Sequence, residues 1–157
     1  MLKQAILSAL MLAAGAALAG AGHHGGLGAD FKFGSPAKPA EATRTVKVEL
    51  TDDMKIRHDP LTIKQGETIN FVVTNAGKVK HEFSIGDVAA QRAHAAMMKK
   101  MPDMHHDNDP PTVTVMPGET KELAWTFDKP AQGDIVFACH VAGHYDAGML
   151  SRVKVQR

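Results

Sequence analysis

The sequence contains a single cysteine, Cys139, among its 157 residues, so no disulfide can form within the chain. It has no glycine-rich phosphate loop, no H-E-x-x-H or C-x-x-C pair and no G-x-S-x-G turn, and thus none of the short motifs of nucleotide-binding proteins, zinc proteases or serine hydrolases. Charge of one sign is not in excess, because 18 basic and 17 acidic residues leave a formal net charge of +1. Without a basic block, nucleic acid is not expected as a partner.

The first 21 residues have the order of a secretory signal peptide. Lys3 precedes an apolar run from Ala5 to about Leu18, and small residues follow the run. The run is short and rich in alanine and glycine, which disfavours a membrane-spanning helix. We therefore expect cleavage after Ala19 or Ala21, a periplasmic mature chain, and no membrane insertion once the signal peptide is removed.

In an exported chain, a single cysteine has no partner within the molecule with which to form a disulfide. Cysteines in oxidising compartments usually pair, and a lone exposed thiol is open to oxidation or to bridging between molecules. We therefore expect Cys139 either to be buried and inert or to have its sulfur occupied by a metal. The neighbouring residues favour the second alternative.

The chain after the signal peptide divides into a leader and one domain. Residues 22–42 are rich in Gly, Ala, Pro and Lys and are interpreted as a flexible leader. Residues 43–157 alternate short apolar and polar stretches with Gly and Pro turns, which favours an all-β sandwich or barrel. The predicted strands are 45–50, 61–64, 68–74, 80–85, 112–115, 120–127, 134–139 and 149–155. An Ala-rich stretch, Val88 to Met101, predicts a helix within an insertion at about 88–106.

A cluster of potential metal ligands lies near the C-terminus. Cys139, His144 and Met149 follow one another in the spacing C-x4-H-x4-M, and Gly143 and Gly148 allow the chain between them to turn tightly. Thiolate, thioether and imidazole groups suit copper, and two His and one Cys with a weak axial Met form the blue-copper arrangement. The spacing therefore predicts three of the four ligands of such a site.

The second histidine must come from elsewhere in the chain, and His81 has the right position. It lies at the start of a predicted strand, from which a sandwich could present it at the same end as Cys139. Each residue alone is more simply explained as packing or surface, whereas their joint occurrence favours a metal. His140 follows Cys139 directly and is not expected to bind the same copper, because successive strand residues face opposite sides.

The chain resembles the cupredoxins, the family of type 1 blue-copper proteins. The segment from Pro60 to Phe71, with Asn75 and His81 after it, resembles the region leading to the first His ligand of the family. The segment from Phe137 to Met149 resembles the ligand loop, with a spacing similar to that of rusticyanin and auracyanin. The resemblance covers residues 43–157 and implies a Greek-key β-sandwich, with an inserted helical segment here. It also implies one copper at the end of the sandwich, bound by His81, Cys139, His144 and Met149.

Two further groups of His and Met residues are candidates for additional copper. In the insertion, four of these residues lie at helical spacing and three more follow Pro102. Together they form one dense group: His94, Met97, Met98, Met101, Met104, His105 and His106. The simpler explanation is that the Met residues pack on the sandwich. Near the N-terminus, cleavage after Ala21 would place His23 and His24 where a free amine and an imidazole can bind Cu(II). An incidental His pair in a disordered leader remains the alternative.

Three functions are compatible with this sequence. The first is a redox-active copper protein of copper tolerance or homeostasis, because some small exported cupredoxin-like tolerance proteins resemble it in their His/Met-rich additions. The second is a soluble electron carrier. The third, a copper oxidase or reductase, is disfavoured by the absence of His-x-His pairs and of a second domain, so we do not expect an enzyme. The expected partner is a redox protein or a copper-transfer protein.

Overall fold

The computed structural model of the protein describes residues 31–102, 109–130 and 132–156. The predicted signal peptide (1–21) and the candidate copper ligands His23, His24, Met104, His105 and His106 therefore lie outside the described residues. Among the residues that are described, no helix is both long and apolar enough to span a membrane.

In these three ranges, ten strands form two five-stranded sheets. The first sheet contains, in spatial order, β1 (Ser35–Pro36), β8 (Thr120–Thr126), β5 (Thr68–Asn75), β2 (Arg44–Thr51) and β3 (Lys55–Arg57). The second contains β4 (Thr62–Lys64), β10 (Leu150–Gln156), β9 (Ile135–Ala138), β6 (His81–Asp87) and β7 (Thr112–Val115). The predicted all-β sandwich is confirmed.

The core lies between the two sheets and contains a group of phenylalanines. Phe71 of β5 contacts Phe83 of β6 and Phe137 of β9, with ring centroids 5.4 Å and 5.1 Å apart. All three side chains are fully buried, and burial of a side chain of this size stabilises a fold by about 2–3 kcal/mol. Phe83 lies two residues after His81, and Phe137 lies two residues before Cys139. The core therefore fixes the strands that position these two predicted copper ligands.

The register of the second sheet brings distant parts of the chain to one end. Strands β6 and β9 are antiparallel, with Ser84 opposite Ala138. Strand β10 begins beside the same point, because Leu150 also lies opposite Ala138. Three residues are therefore neighbours at this end of the sheet. His81 is the first residue of β6, Cys139 follows β9, and Met149 precedes β10.

The predicted inserted helix is present as α1 (Val88–Lys100). The carboxylate of Asp87 caps its N-terminus by accepting a 2.7 Å hydrogen bond from the Ala90 N–H. Gln91 attaches it to the sheet, because its Nε2 donates to the Ser84 carbonyl of β6 at 3.1 Å and to the Val136 carbonyl of β9 at 2.7 Å. Helix α1 is thus bonded to β6, which carries His81, and to β9, which precedes Cys139.

The flexible leader predicted for residues 22–42 does not hold for residues 31–42, which pack on the first sheet. Strand β1 pairs with β8, and a short 3-10 helix follows at Pro39–Glu41. Phe33 is buried against Trp125, with ring centroids 5.4 Å apart. Gly34 has φ +136°, and a Cβ there would lie 2.1 Å from the Thr126 carbonyl oxygen. Gly34, one of the residues that suggested flexibility, instead allows this close approach.

Candidate metal centre

Three of the four predicted copper ligands meet at the end of the sandwich. The Cys139 Sγ lies 4.0 Å from His81 Nδ1 and 3.4 Å from His144 Nδ1, and the three atoms all lie within 4.8 Å of one another. A metal at the centre of a triangle with sides of about 4 Å lies about 2.3 Å from each corner, which is a normal metal–sulfur distance and slightly longer than a normal metal–nitrogen distance. The donor atoms therefore fit a metal in trigonal coordination.

The Cys139 sulfur is held by backbone groups in a fully buried position. The Cys139 Sγ accepts a hydrogen bond of 3.3 Å from the Glu82 N–H, and the Cys139 N–H donates to the Met149 carbonyl at 3.1 Å. Burial raises the pKa of the Cys139 thiol to about 12, and the Glu82 N–H only partly offsets this rise. The sulfur without metal is therefore a neutral thiol at pH 7, and metal binding must displace its proton.

His144 and Met149 lie on one compact loop. The His144 N–H donates to the Val141 carbonyl at 2.9 Å, and the Met149 N–H donates to the His144 carbonyl at 3.0 Å. Gly148 has φ +88°, a conformation that residues with a Cβ rarely adopt, and it turns the chain into Met149. Met149 is fully buried and is bonded through its backbone to both Cys139 and His144. The backbone of the fourth predicted ligand is therefore held beside Cys139 and His144.

The half-buried position of His144 affects its protonation. Burial is the main cause that lowers the His144 pKa, and the nearby His81 contributes to the same shift. A lower pKa favours the neutral imidazole, which is the form that binds a metal.

The loop that leads into His81 is fixed from the inside by Asn75, the last residue of β5. The Asn75 Nδ2 donates to the carbonyls of Val79 and Val115 at 2.8 Å and 2.9 Å, and its Oδ1 accepts from the Gly77 N–H at 2.9 Å. These bonds connect β5, the loop and β7. They hold His81 in place before any metal is bound.

Asp52 contacts the same loop from the outside and was not predicted from the sequence. It lies between β2 and β3, and its Oδ1 is 3.0 Å from His81 Nε2. Hydrogen bonds from the Lys78 N–H and then from His81 lower the pKa of the Asp52 carboxyl group, so it is ionised at neutral pH. No motif links two residues that are 29 positions apart, so only the folded chain shows this contact.

The side of β9 opposite the sulfur carries a polar and aromatic group. His140 points toward α1, as strand alternation predicts, and its Nε2 lies 2.6 Å from Gln91 Oε1. Its ring stacks between His94 and Tyr145, with centroid distances of 4.0 Å and 5.0 Å. His140 is therefore joined to the inserted helix and to the ligand loop.

The predicted His/Met stripe of the insertion is divided among different surroundings. Met98 is buried in a cavity that His140 and Tyr145 also line, whereas His94 and Met97 line a second cavity next to Phe31 and Phe33. Met101 is 44% exposed. Packing therefore accounts for Met98, and the second copper site remains a prediction.

Comparison with known proteins identifies the family. A family model described as multicopper oxidase matches residues 32–157. The copper-resistant cuproprotein CopI of Rubrivivax gelatinosus is 40% identical over 163 residues, which covers 99% of this chain and 97% of that protein. The CopI protein of Vibrio cholerae is 46% identical over 125 residues, 78% of this chain and 71% of that one. The chain belongs to the CopI family of cuproproteins.

Solved structures show which fold this CopI-family chain has. Auracyanin of Roseiflexus castenholzii superimposes with a TM-score of 0.60 at 20% identity, covering 74% of this chain and 99% of that one. Auracyanin B gives a TM-score of 0.60 at 22% identity, covering 79% and 96%. The predicted cupredoxin fold is confirmed. The family, the fold and the set of donor atoms all indicate copper. The predicted cofactor is therefore confirmed.

Replacement of Asn75 tests whether the loop is set before copper binds. Asn75→Ala removes three hydrogen bonds and leaves two carbonyls without their donor, so we expect the free energy of unfolding to fall by about 2–3 kcal/mol. Copper affinity should also fall, because His81 is no longer held. Urea unfolding of the metal-free protein and competition with a chelator measure the two effects.

Asn70→Ala provides the matched control on the same strand. Among the described residues, the Asn70 side chain donates one long hydrogen bond, to Glu122 at 3.3 Å. Its replacement should leave copper affinity unchanged. Equal affinities for the two alanine variants would contradict the role given to Asn75.

Proposed function

We propose that this protein is an exported, periplasmic type 1 copper protein, redox-active and non-enzymatic, that serves copper tolerance. The observation that carries the proposal is the triangle of one cysteine sulfur and two imidazole nitrogens, with buried Met149 bonded through its backbone to Cys139 and His144. Copper held by these residues would supply one-electron chemistry between its Cu(I) and Cu(II) states.

The protein's own residues make the site suitable for both oxidation states. His81 and Cys139 are fully buried, so water is kept away from two of the donor atoms. Backbone hydrogen bonds fix Cys139, His144 and Met149 relative to one another. Donor atoms that are already placed move little when the charge at the site changes. Half-buried His144 provides the edge of the site that is nearest to solvent.

Two features support copper tolerance as the biological role. The relatives at 40% and 46% identity are named copper-resistant cuproproteins. The insertion also carries more His and Met residues than a one-copper carrier needs. An oxidase role has no such support, because the chain lacks the His-x-His pairs that bind the coppers of a multicopper oxidase.

A genetic experiment tests the tolerance role. Deletion of the gene should increase copper sensitivity, and the wild-type gene should restore growth whereas a Cys139→Ser gene should not, because that variant lacks the thiolate ligand. Growth curves in graded copper, with fractionation to locate the protein in the periplasm, measure the outcome. Unchanged growth in copper combined with a respiratory defect would contradict the proposal and favour the electron carrier.

An electron carrier is the second candidate, because the fold resembles that of the auracyanins. Copper stoichiometry separates the two functions: we expect the mature wild-type protein to bind more than one copper, by elemental analysis after dialysis. The matched variant replaces four residues of the insertion, Met101→Leu, Met104→Leu, His105→Ala and His106→Ala. It should bind fewer coppers and keep full visible colour. One copper in both proteins would favour the carrier.

A further inference from the structure

The carboxylate of Asp52 joins the β2–β3 turn to the loop that carries His81. Its Oδ1 lies 3.0 Å from His81 Nε2, and its Oδ2 accepts a hydrogen bond of 2.7 Å from the Lys78 N–H. Each oxygen therefore has its own partner on the loop, and the carboxylate cannot rotate without losing one of them. His81 is fully buried, whereas the Asp52 side chain is 39% exposed.

Gly77 provides independent evidence that the chain is built around this contact. A Cβ on Gly77 would lie 2.0 Å from Asp52 Oδ1 and 3.1 Å from His81 Nε2. The first of these distances is far shorter than any van der Waals contact. A Cβ at position 77 would therefore displace the Asp52 carboxylate from its place beside the imidazole.

The contact determines which nitrogen of His81 faces the metal. A carboxylate only accepts hydrogen bonds, so the proton of the neutral imidazole is on Nε2, where Asp52 accepts it. Nδ1 is then left with its lone pair, and it is Nδ1 that lies 4.0 Å from Cys139 Sγ. A partner on the far nitrogen fixes both the tautomer and the ring orientation of a metal-binding histidine.

We propose that Asp52 is the positioning residue of the copper site: it orients His81, and its negative charge favours Cu(II) over Cu(I) and so lowers the reduction potential. The inference rests on copper binding at the proposed site. The sign follows from Coulomb's law, because an anion close to the metal stabilises the more highly charged ion. Loss of the charge should therefore make the copper easier to reduce.

The neighbouring Asp53 offers a matched control for charge. Its carboxylate bonds to the Thr51 hydroxyl and to Arg57 rather than to His81. Asp53→Asn and Asp52→Asn remove the same formal charge from the same turn. They differ in whether the carboxylate that is lost faces a copper ligand.

The experiment measures the reduction potential and the visible and electron paramagnetic resonance spectra of the copper-loaded full-length mature protein. Asp52→Asn keeps an oxygen that can accept from His81, so its spectra should stay close to those of wild type. Its equilibrium constant for reduction should rise about tenfold, which corresponds to about 59 mV for one electron. Asp52→Ala should show the higher potential and, in addition, altered spectra, because His81 is no longer oriented. Asp53→Asn should change neither.

A measurement on the metal-free protein tests the orientation alone. Nitrogen-15 chemical shifts of the imidazoles should show the His81 proton on Nε2 in wild type and a mixture of tautomers in Asp52→Ala. Wild-type spectra and potential in Asp52→Ala, or equal potentials in Asp52→Asn and Asp53→Asn, would overturn the inference while leaving the copper site established. Absence of a blue band from wild type would instead overturn the proposed function.

Discussion

Burial of the Cys139 sulfur is the constraint on which the rest of the site depends. A thiol that is fully buried, with its pKa raised to about 12, does not ionise at neutral pH without a positive partner. A bound metal ion would supply that charge, and the Glu82 N–H donates the hydrogen bond that a thiolate would accept. The same burial protects the only cysteine of the chain from oxidation. The site is therefore arranged for a bound metal and is unfavourable for a free thiolate.

The remaining architecture serves to place the other donors around this sulfur. The antiparallel register of β6 and β9 brings His81 beside Cys139, and the short loop returns His144 and Met149 to the start of β10. Two polar residues then fix His81 from opposite sides, Asn75 through the loop backbone and Asp52 through the imidazole. On the far side of β9, the contact of His140 with Gln91 links the ligand strand to helix α1.

The residues that could be predicted from sequence are those with a local signature. Strand alternation, the C-x4-H-x4-M spacing and the Ala-rich helix are all patterns within a few residues, and the sandwich and helix appear where these patterns predicted them. Asp52 and Gln91 have no such signature, because each acts on a residue that only the tertiary fold brings near. The packing of residues 31–42 was missed for a related reason. Their Gly and Pro content resembles a linker, and the partner that orders them, Trp125, lies far along the chain.

The central claim is that Cys139 is a ligand of a type 1 copper. Optical titration of the purified mature protein with Cu(II), beside the Cys139→Ser variant, tests it most directly. We expect an intense visible thiolate-to-copper band that saturates at one equivalent in wild type and is absent from the variant. A wild-type protein without the band, or a variant that retains it, would show that Cys139 does not bind the copper.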